Sequence, residues 1–232
     1  MSGDASGALL TLLGALSLRL GLTDAHLAYV KPGMRLPLLV AGGLLVALGL
    51  GVMRRWVAGA RPPGGGHGTP VGWLLIAPVF AIGLVAPDPL GAFAASRQPE
   101  AALPPVDSFG PLPDPVDGAV ALPVREFTAR ARYDEERSLT GVRVRLTGFV
   151  VPDRSGTGFF LTRFVLSCCA ADGRAVRVAV RDAPRPYPPA DAWVEVEGTW
   201  RPTGETPESE APSVLVASAV RPVPAPSQPY ET

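Results

Sequence analysis

Three long apolar segments lie within the first ninety residues of this 232-residue chain, and they limit its fold more than any other feature. They run from Ala5 to Leu22, from Leu36 to Met53 and from Val71 to Leu90. A helix needs about 20 apolar residues to cross the hydrocarbon of a bilayer. Buried helices of a soluble protein are the alternative, but three such segments joined by short polar stretches favour insertion. We therefore predict a membrane stem of three transmembrane helices.

The first apolar segment does not resemble a cleaved signal peptide. Asp4 precedes it without any Lys or Arg, and no clear small-residue cleavage site follows it. We expect this segment to be retained. In the second segment Gly42, Gly43 and Gly49 form a small-residue face that lets a neighbouring helix approach closely. We expect a helix–helix contact there.

The polar joints between the apolar segments predict the orientation of the stem. The joint after Met53 carries Arg54, Arg55 and Arg61, whereas the joint before Leu36 carries Lys31 and Arg35, offset by Asp24. Cytoplasmic loops carry the excess of positive charge. The prediction is a plasma-membrane protein with a cytoplasmic N-terminus and an extracytoplasmic C-terminal part.

The composition changes after the third apolar segment. Residues 92–123 are rich in proline and small residues without any helical or strand period, which predicts a semi-rigid tether after the stem (residues 1–91). A similar Pro-rich tail covers residues 224–232. The part between tether and tail, residues 124–223, has the pattern of a compact β domain.

Alternation of apolar and polar residues predicts five strands in this domain. In the first strand Val142, Val144 and Leu146 are predicted to face inward, and Asp172-Gly173 predicts a tight hairpin between the second and third strands. The predicted strands are Gly141–Val151, Gly158–Cys169, Arg174–Asp182, Ala192–Arg201 and Ser213–Val223.

These five strands predict a closed, OB-like barrel, with an open five-stranded sandwich as the alternative. Closure removes the sheet edges that a free domain otherwise has to protect. The segment Arg125–Thr140 before the first strand favours a helix, with Phe127, Ala131 and Leu139 facing inward.

Charge and motifs exclude several classes of function. The chain has 21 basic and 21 acidic residues, and residues 124–232 contain fourteen Arg and fourteen Asp or Glu, so no basic surface for nucleic acid is expected. Hydrolase, phosphate-loop and dinucleotide motifs are missing from the sequence. We expect a protein that is not an enzyme and has no catalytic residues.

The two cysteines of the chain, Cys168 and Cys169, are adjacent. On a continuous strand neighbouring side chains point to opposite faces, so Cys168 is expected in the core and Cys169 at the surface, as packing residues. If the chain bends at Cys168 instead, both sulfurs and Asp172 meet at one rim and form a site for a thiophilic divalent metal such as zinc. A thiol-redox enzyme is the third alternative, disfavoured because the pair lacks C-x-x-C spacing.

The two histidines do not extend this set of metal ligands. His26 and His67 lie in different joints, on opposite sides of the membrane in the predicted orientation. A lone histidine in a glycine-rich joint such as "GGGHG" is typically solvated.

Several stretches together resemble the YcgQ-like permease-subunit family. They are "AYVKPGMRLPLLVAG", "PDPLGAFAASR", "RYDEERSLTGVRVRLTGFV" and "LTRFVLSCCAADGRAVRVAVR". The resemblance implies a bacterial membrane stem with a C-terminal domain and a multi-pass permease as partner in the same membrane. It also implies metal handling. Relatives often carry a histidine-rich joint before the third helix, whereas here that joint holds only His67.

The sequence thus favours a non-enzymatic accessory subunit of a permease that presents a small β-barrel outside the membrane. Three helices with one charge near an end cannot by themselves enclose a polar path through the bilayer. The alternative is an extracytoplasmic metal-binding or metal-delivery protein that uses Cys168 and Cys169.

Overall fold

The computed structural model describes residues 3–59, 77, 79–81, 88–101, 103–104, 106, 108–204 and 211–232. The chain divides into two compact units, Met1–Asp88 and Pro89–Thr232. The first contains helices α1 (Gly3–Leu22) and α2 (Arg35–Val57), joined by short 3₁₀ turns at Asp24–Ala28 and Pro32–Met34. Two candidate membrane spans, Ala5–Leu22 and Pro32–Val57, are therefore found in the described residues.

Most of the predicted third helix, Val71–Leu90, lies outside the described residues, as do Arg61 and His67. Of the predicted membrane stem, the described residues show two apolar helices that are long enough to cross a bilayer.

Glycine residues bring α1 and α2 into close contact. A Cβ atom on Gly14 would lie 2.7 Å from the carbonyl oxygen of Gly42, and one on Gly49 would lie 2.8 Å from the backbone nitrogen of Thr11. Both distances are shorter than any normal carbon contact, so only glycine permits this approach. At the loop end of the pair, Arg35 Nε donates a 2.9 Å hydrogen bond to the Gly21 carbonyl.

The second unit is built on a five-stranded barrel. Its strands are β2 (Arg143–Pro152), β3 (Gly158–Val165), β4 (Arg174–Arg181), β5 (Trp193–Arg201) and β6 (Ser213–Pro222). They pair in the closed order β2-β3-β4-β6-β5-β2, and every pairing is antiparallel except β4 with β6. This connectivity confirms the OB-like closed barrel and excludes the open sandwich.

Short elements surround the barrel. Strand β1 (Val120–Ala121) pairs in parallel with β2, and β7 (Tyr230–Glu231) pairs in parallel with β3. Helix α3 (Ala92–Ala95) precedes the barrel, and α4 (Val124–Tyr133) leads into it. Helix α4 is shorter than predicted because the Asp134 carboxylate accepts the backbone N–H groups of Glu136 and Ser138 and turns the chain.

The barrel interior is filled as the alternation predicted. Val144 and Leu146 are fully buried and Val142 is partly buried, while Phe127, Ala131 and Leu139 pack against the same core. A second apolar cluster forms around Phe149 and Phe164. The side chains of Ala92, Ala95, Leu166 and Tyr230 also belong to this second cluster.

Part of the segment that was predicted to be a semi-rigid tether packs on the barrel. Strand β6 covers only the second half of β4, residues Val178–Arg181. The first half of β4 is covered by residues 98–101. The Gln98 side chain accepts the backbone N–H of Ala175, and the Glu100 side chain accepts that of Arg177. The Ala101 N–H donates to the Ala175 carbonyl. The sequence showed no period here because these contacts use side-chain oxygens in place of a regular strand.

Candidate functional site

The predicted metal ligands lie in one bend of the chain after β3. Strand β3 ends at Val165, three residues before the cysteines, and a 3₁₀ turn spans Ala170–Asp172. Residues Ser167–Asp172, here called the Cys loop, therefore leave the sheet. The expectation that the second strand continues to Cys169 is wrong, and so is the tight hairpin at Asp172-Gly173.

The Asp172 carboxylate folds the Cys loop. Its Oδ1 accepts the Ser167 N–H at 2.9 Å, and its Oδ2 accepts the N–H groups of Cys168 at 2.8 Å and Cys169 at 3.3 Å. In return, the Asp172 N–H donates to the Cys169 carbonyl at 3.0 Å. These bonds satisfy three successive backbone donors that have left the sheet, which is why the strand ends where it does.

The bend brings both thiols and the carboxylate together. Cys168 Sγ lies 3.6 Å from Cys169 Sγ and donates a 2.8 Å hydrogen bond to Asp172 Oδ2. One ligand atom from each of the three residues lies within 4.8 Å of the others. Cys168 is exposed and Cys169 is half-buried, which corrects the prediction that Cys168 points into the core.

The hydrogen bond between Cys168 and Asp172 shifts both pKa values. It raises the pKa of the Cys168 thiol to about 11, with the neighbouring Cys169 thiol adding to the shift. The same hydrogen bond, with the three backbone N–H groups, lowers the pKa of Asp172 to about 2. At neutral pH the loop thus holds a carboxylate and a protonated Cys168 thiol. Such a thiol is a poor nucleophile, and the redox alternative loses support.

Glu231, near the C-terminus, fixes the segment that leads into the Cys loop, and no sequence pattern predicted this role. Glu231 accepts the N–H groups of Val124 and Arg125 at 2.9 and 2.8 Å, and its carboxylate lies 3.6 Å from Arg163 Nε. Its carbonyl accepts the Leu166 N–H, one residue before the Cys loop. A short Pro-rich tail has no strand period to reveal these contacts.

A second feature of this unit is an open cleft of about 860 Å³. Its charged side chains form pairs with one another: Arg145 Nε lies 3.7 Å from Glu195 Oε1, and Arg163 Nε lies 3.6 Å from Glu231 Oε1. The lining includes Phe109, Leu122, Arg125, Glu126, Thr147, Glu195, Gln228 and Tyr230. Because acids and bases are balanced here, the cleft does not present the basic surface that nucleic acid requires.

The two faces of α2 differ in the first unit. Gly42 and Gly49 are buried against α1, whereas a Cβ atom on Gly43 or Gly51 would meet no atom of the described residues within 4 Å. Gly43, Ala47 and Gly51 follow one another at intervals of four residues and line the side of α2 away from α1; they are called the open face below. The prediction that Gly42, Gly43 and Gly49 share one contact is wrong, because successive residues are about 100° apart around a helix.

Comparison with known proteins gives one family. Residues 130–231, which are less than half of the chain, match the family described as the DUF1980 C-terminal domain. This range covers all five barrel strands and the Cys loop, and the match supports a DUF1980-family protein. No curated protein matches the chain.

Proposed function

We propose that this chain is an integral-membrane accessory subunit of a multi-pass permease in the bacterial plasma membrane. In this proposal the stem docks on helices of the permease, the barrel is presented on the extracytoplasmic side, and the subunit itself catalyses no reaction. The resemblance of the sequence to the YcgQ-like permease-subunit family suggests this class of partner.

The open face of α2 is the observation that supports the proposal most directly. In lipid, helices associate through close backbone approach at small residues, because apolar side chains gain nothing by leaving lipid for one another. The chain already uses this means at Gly14, Gly42 and Gly49 to join α1 and α2. The same kind of small-residue spacing on the other side of α2 suits a further helix.

The orientation in the proposal follows from the charges at the end of α2. Arg54 and Arg55 lie in the last turn of that helix, where positive residues favour the cytoplasmic side. An odd number of spans after the N-terminus then leaves the barrel outside, which requires the segment Val71–Leu90 to cross as well.

Co-purification with the permease tests the proposal. Gly43→Leu and Gly51→Leu place a large side chain on the open face, and we expect each to reduce recovery of the permease from detergent extracts more than about tenfold. Ala41→Leu is the matched control: Ala41 is also exposed, and it lies about 160° around the helix from Gly43. Unchanged recovery with both glycine variants would contradict docking through this face.

Gly42→Leu separates docking from assembly of the stem itself. This substitution places a side chain against the Gly14 carbonyl and Leu18, so it is expected to separate α1 from α2. A cysteine-crosslinking assay should use Gly7→Cys and Val52→Cys in a chain whose Cys168 and Cys169 are replaced by Ser, because a Cβ atom on Gly7 lies 3.4 Å from Val52 Cγ1. Its product should be lost in Gly42→Leu and kept in Gly43→Leu. Equal loss in the two variants would mean that Gly43 acts within the chain and not on a partner.

A further inference from the structure

We propose that the Cys loop binds one thiophilic divalent cation of the zinc and cadmium class through Cys168, Cys169 and Asp172. The three side chains lie in one bend, with each possible ligand atom within 4.8 Å of the others. This inference concerns the barrel and is independent of the proposed permease partner. The proposed docking on the permease uses α2, whereas the cation site uses the Cys loop, which has no part in that docking.

The type of ligand selects the class of cation. Thiolate sulfur is a soft donor, which favours zinc, cadmium and related ions over magnesium and calcium. Two thiolates and one carboxylate carry three negative charges, so a divalent ion leaves a net charge of minus one on the site. Zinc in proteins takes both sulfur and carboxylate oxygen as ligands, usually in tetrahedral geometry.

The loop is already folded before the ion binds. Three backbone N–H groups, from Ser167, Cys168 and Cys169, hold the Asp172 carboxylate in place. The chain therefore loses little further conformational freedom when the ligands close on a cation. Asp172 Oδ1 accepts one of these bonds and Oδ2 accepts two, so lone pairs remain on the carboxylate for a metal bond.

The proton of the Cys168 thiol marks the place of the cation. That proton now lies between Cys168 Sγ and Asp172 Oδ2, which are 2.8 Å apart. On binding, both thiols release their protons to solvent, the cation gives up water ligands, and two metal–sulfur bonds and one metal–oxygen bond form without any oxidation or reduction. Cation–ligand distances of about 2.0–2.3 Å require the sulfur and the oxygen to move apart slightly.

A fourth coordination position stays open to solvent. Within the described residues, the set of possible ligands contains only these three, and Cys168 is exposed. Structural zinc sites are closed by four protein ligands, whereas a site with three keeps a position for water or an incoming ligand. An open site of this kind exchanges its ion with an external donor or acceptor.

A cadmium titration of the full chain in detergent, under a non-thiol reductant, tests the site. Bonds between thiolate and cadmium give an ultraviolet charge-transfer absorption that histidine and carboxylate sites do not produce. We expect this absorption to saturate at one cadmium ion per chain and to be removed by zinc. Calcium and magnesium in large excess should leave it unchanged.

Variants separate the site from adventitious binding. Cys168→Ser and Cys169→Ser should each weaken cadmium binding more than about tenfold, while Ser167→Ala, which keeps the backbone bond to Asp172, should bind normally. His67→Ala should also leave the absorption unchanged. An unchanged melting temperature in the cysteine variants will show that the loss is not a loss of folding.

Two results would overturn the inference. One is the absence of thiolate-to-cadmium absorption at equimolar metal in the wild-type chain. The other is an absorption that persists in both single cysteine variants, because each sulfur would then bind metal without the other and no common site would exist. Asp172→Glu gives a further measure: it keeps the charge but moves the carboxylate, and it should weaken binding less than Asp172→Ala does.

Discussion

At the scale of single residues, buried carboxylates that no motif predicted hold the second unit together. Glu100 is the clearest case. Its side chain is 3% exposed, and its Oε1 accepts the Arg177 N–H. Its Oε2 has no hydrogen-bond partner among the described residues, although Arg177 Nη1 lies 3.8 Å away. Burial raises the pKa of Glu100 to about 7. An isolated Glu within "SRQPEAALPP" carries no sequence signal for such burial.

The raised pKa of Glu100 predicts how stability depends on pH. The folded state binds this proton more tightly than the unfolded state, so the contribution of Glu100 to the free energy of unfolding falls as pH rises from 4.5 to about 7. Glu100→Gln removes this dependence. We compare the free energy of unfolding of the variant with that of wild type at each pH. The variant minus wild-type difference should be about 2 kcal/mol more favourable to the variant at pH 8 than at pH 5.

Chemical unfolding of the detergent-solubilised protein at both pH values measures this difference. Glu135→Gln is the matched control, because Glu135 is exposed and the same substitution there removes one carboxylate without touching a buried acid. A wild-type protein that gains stability between pH 5 and pH 7 relative to Glu100→Gln would contradict the burial argument.

The candidate site shows what residue-level prediction can and cannot reach. The sequence placed Cys168, Cys169 and Asp172 near one another only under the condition that the strand bends. Alternation alone favoured a straight strand through Cys169, because apolar residues continue to Val165 and Leu166. The bend depends on one carboxylate that accepts three backbone N–H groups, and a pattern of hydrophobicity does not report hydrogen bonds of this kind.

At the scale of elements, helix α4 depends on a residue more than a hundred positions away. In the described part of the chain, no side chain near Pro123 caps this helix; instead, the carboxylate of Glu231 accepts the N–H groups of Val124 and Arg125. A negative charge at a helix N-terminus also interacts favourably with the helix dipole. The predicted helix was correct in its inward residues, but its cap could not be predicted from local sequence.

Removal of this cap should destabilise α4 measurably. Glu231→Ala leaves two N–H groups without acceptors and removes the carboxylate beside Arg163. We expect a loss of about 1–3 kcal/mol in the free energy of unfolding and faster hydrogen exchange at residues 124–128. Glu231→Gln should lose less, since its side-chain oxygen can still accept one bond. Equal stability of Glu231→Ala and wild type would show that the cap is dispensable.

At the scale of the whole molecule, the sequence predicted the strands and the closure of the barrel better than the short segments that cover it. The five strands, their inward residues and barrel closure follow from alternation, which repeats over many residues and tolerates local errors. The short covering segments did not follow from it. Residues 92–101, which were predicted to lie in a tether, contribute Ala92 and Ala95 to an apolar cluster and side chains to the edge of β4.

Topology is the whole-molecule property that the proposed function requires. With the N-terminus inside and three crossings, an alkaline phosphatase fused after the exposed Thr232 should be active in intact cells. A green fluorescent protein fused at the same position should be dark when exported through the general secretion pathway. An inactive phosphatase together with a bright fluorescent fusion would reverse the orientation.

Native cysteines give an independent measurement of the same topology. Cys168 and Cys169 are the two cysteines of the chain, and Cys168 is exposed. A membrane-impermeant maleimide should label the protein in spheroplasts at alkaline pH, because the raised pKa of Cys168 slows its reaction near neutrality. Labelling only after lysis would place the barrel in the cytoplasm.

Residues 90–101, which pack on the barrel, determine at which residue a recombinant fragment of this domain can begin. A recombinant fragment that starts at α4 would contain all five barrel strands, yet it would uncover the backbone groups of Ala175 and Arg177 that Gln98, Glu100 and Ala101 now satisfy. It would also lose Ala92 and Ala95 from the apolar cluster around Phe164. An uncovered strand edge beside an exposed apolar surface invites intermolecular pairing. Soluble expression, crystallisation or display of this barrel should therefore begin at Pro89, where the compact unit begins.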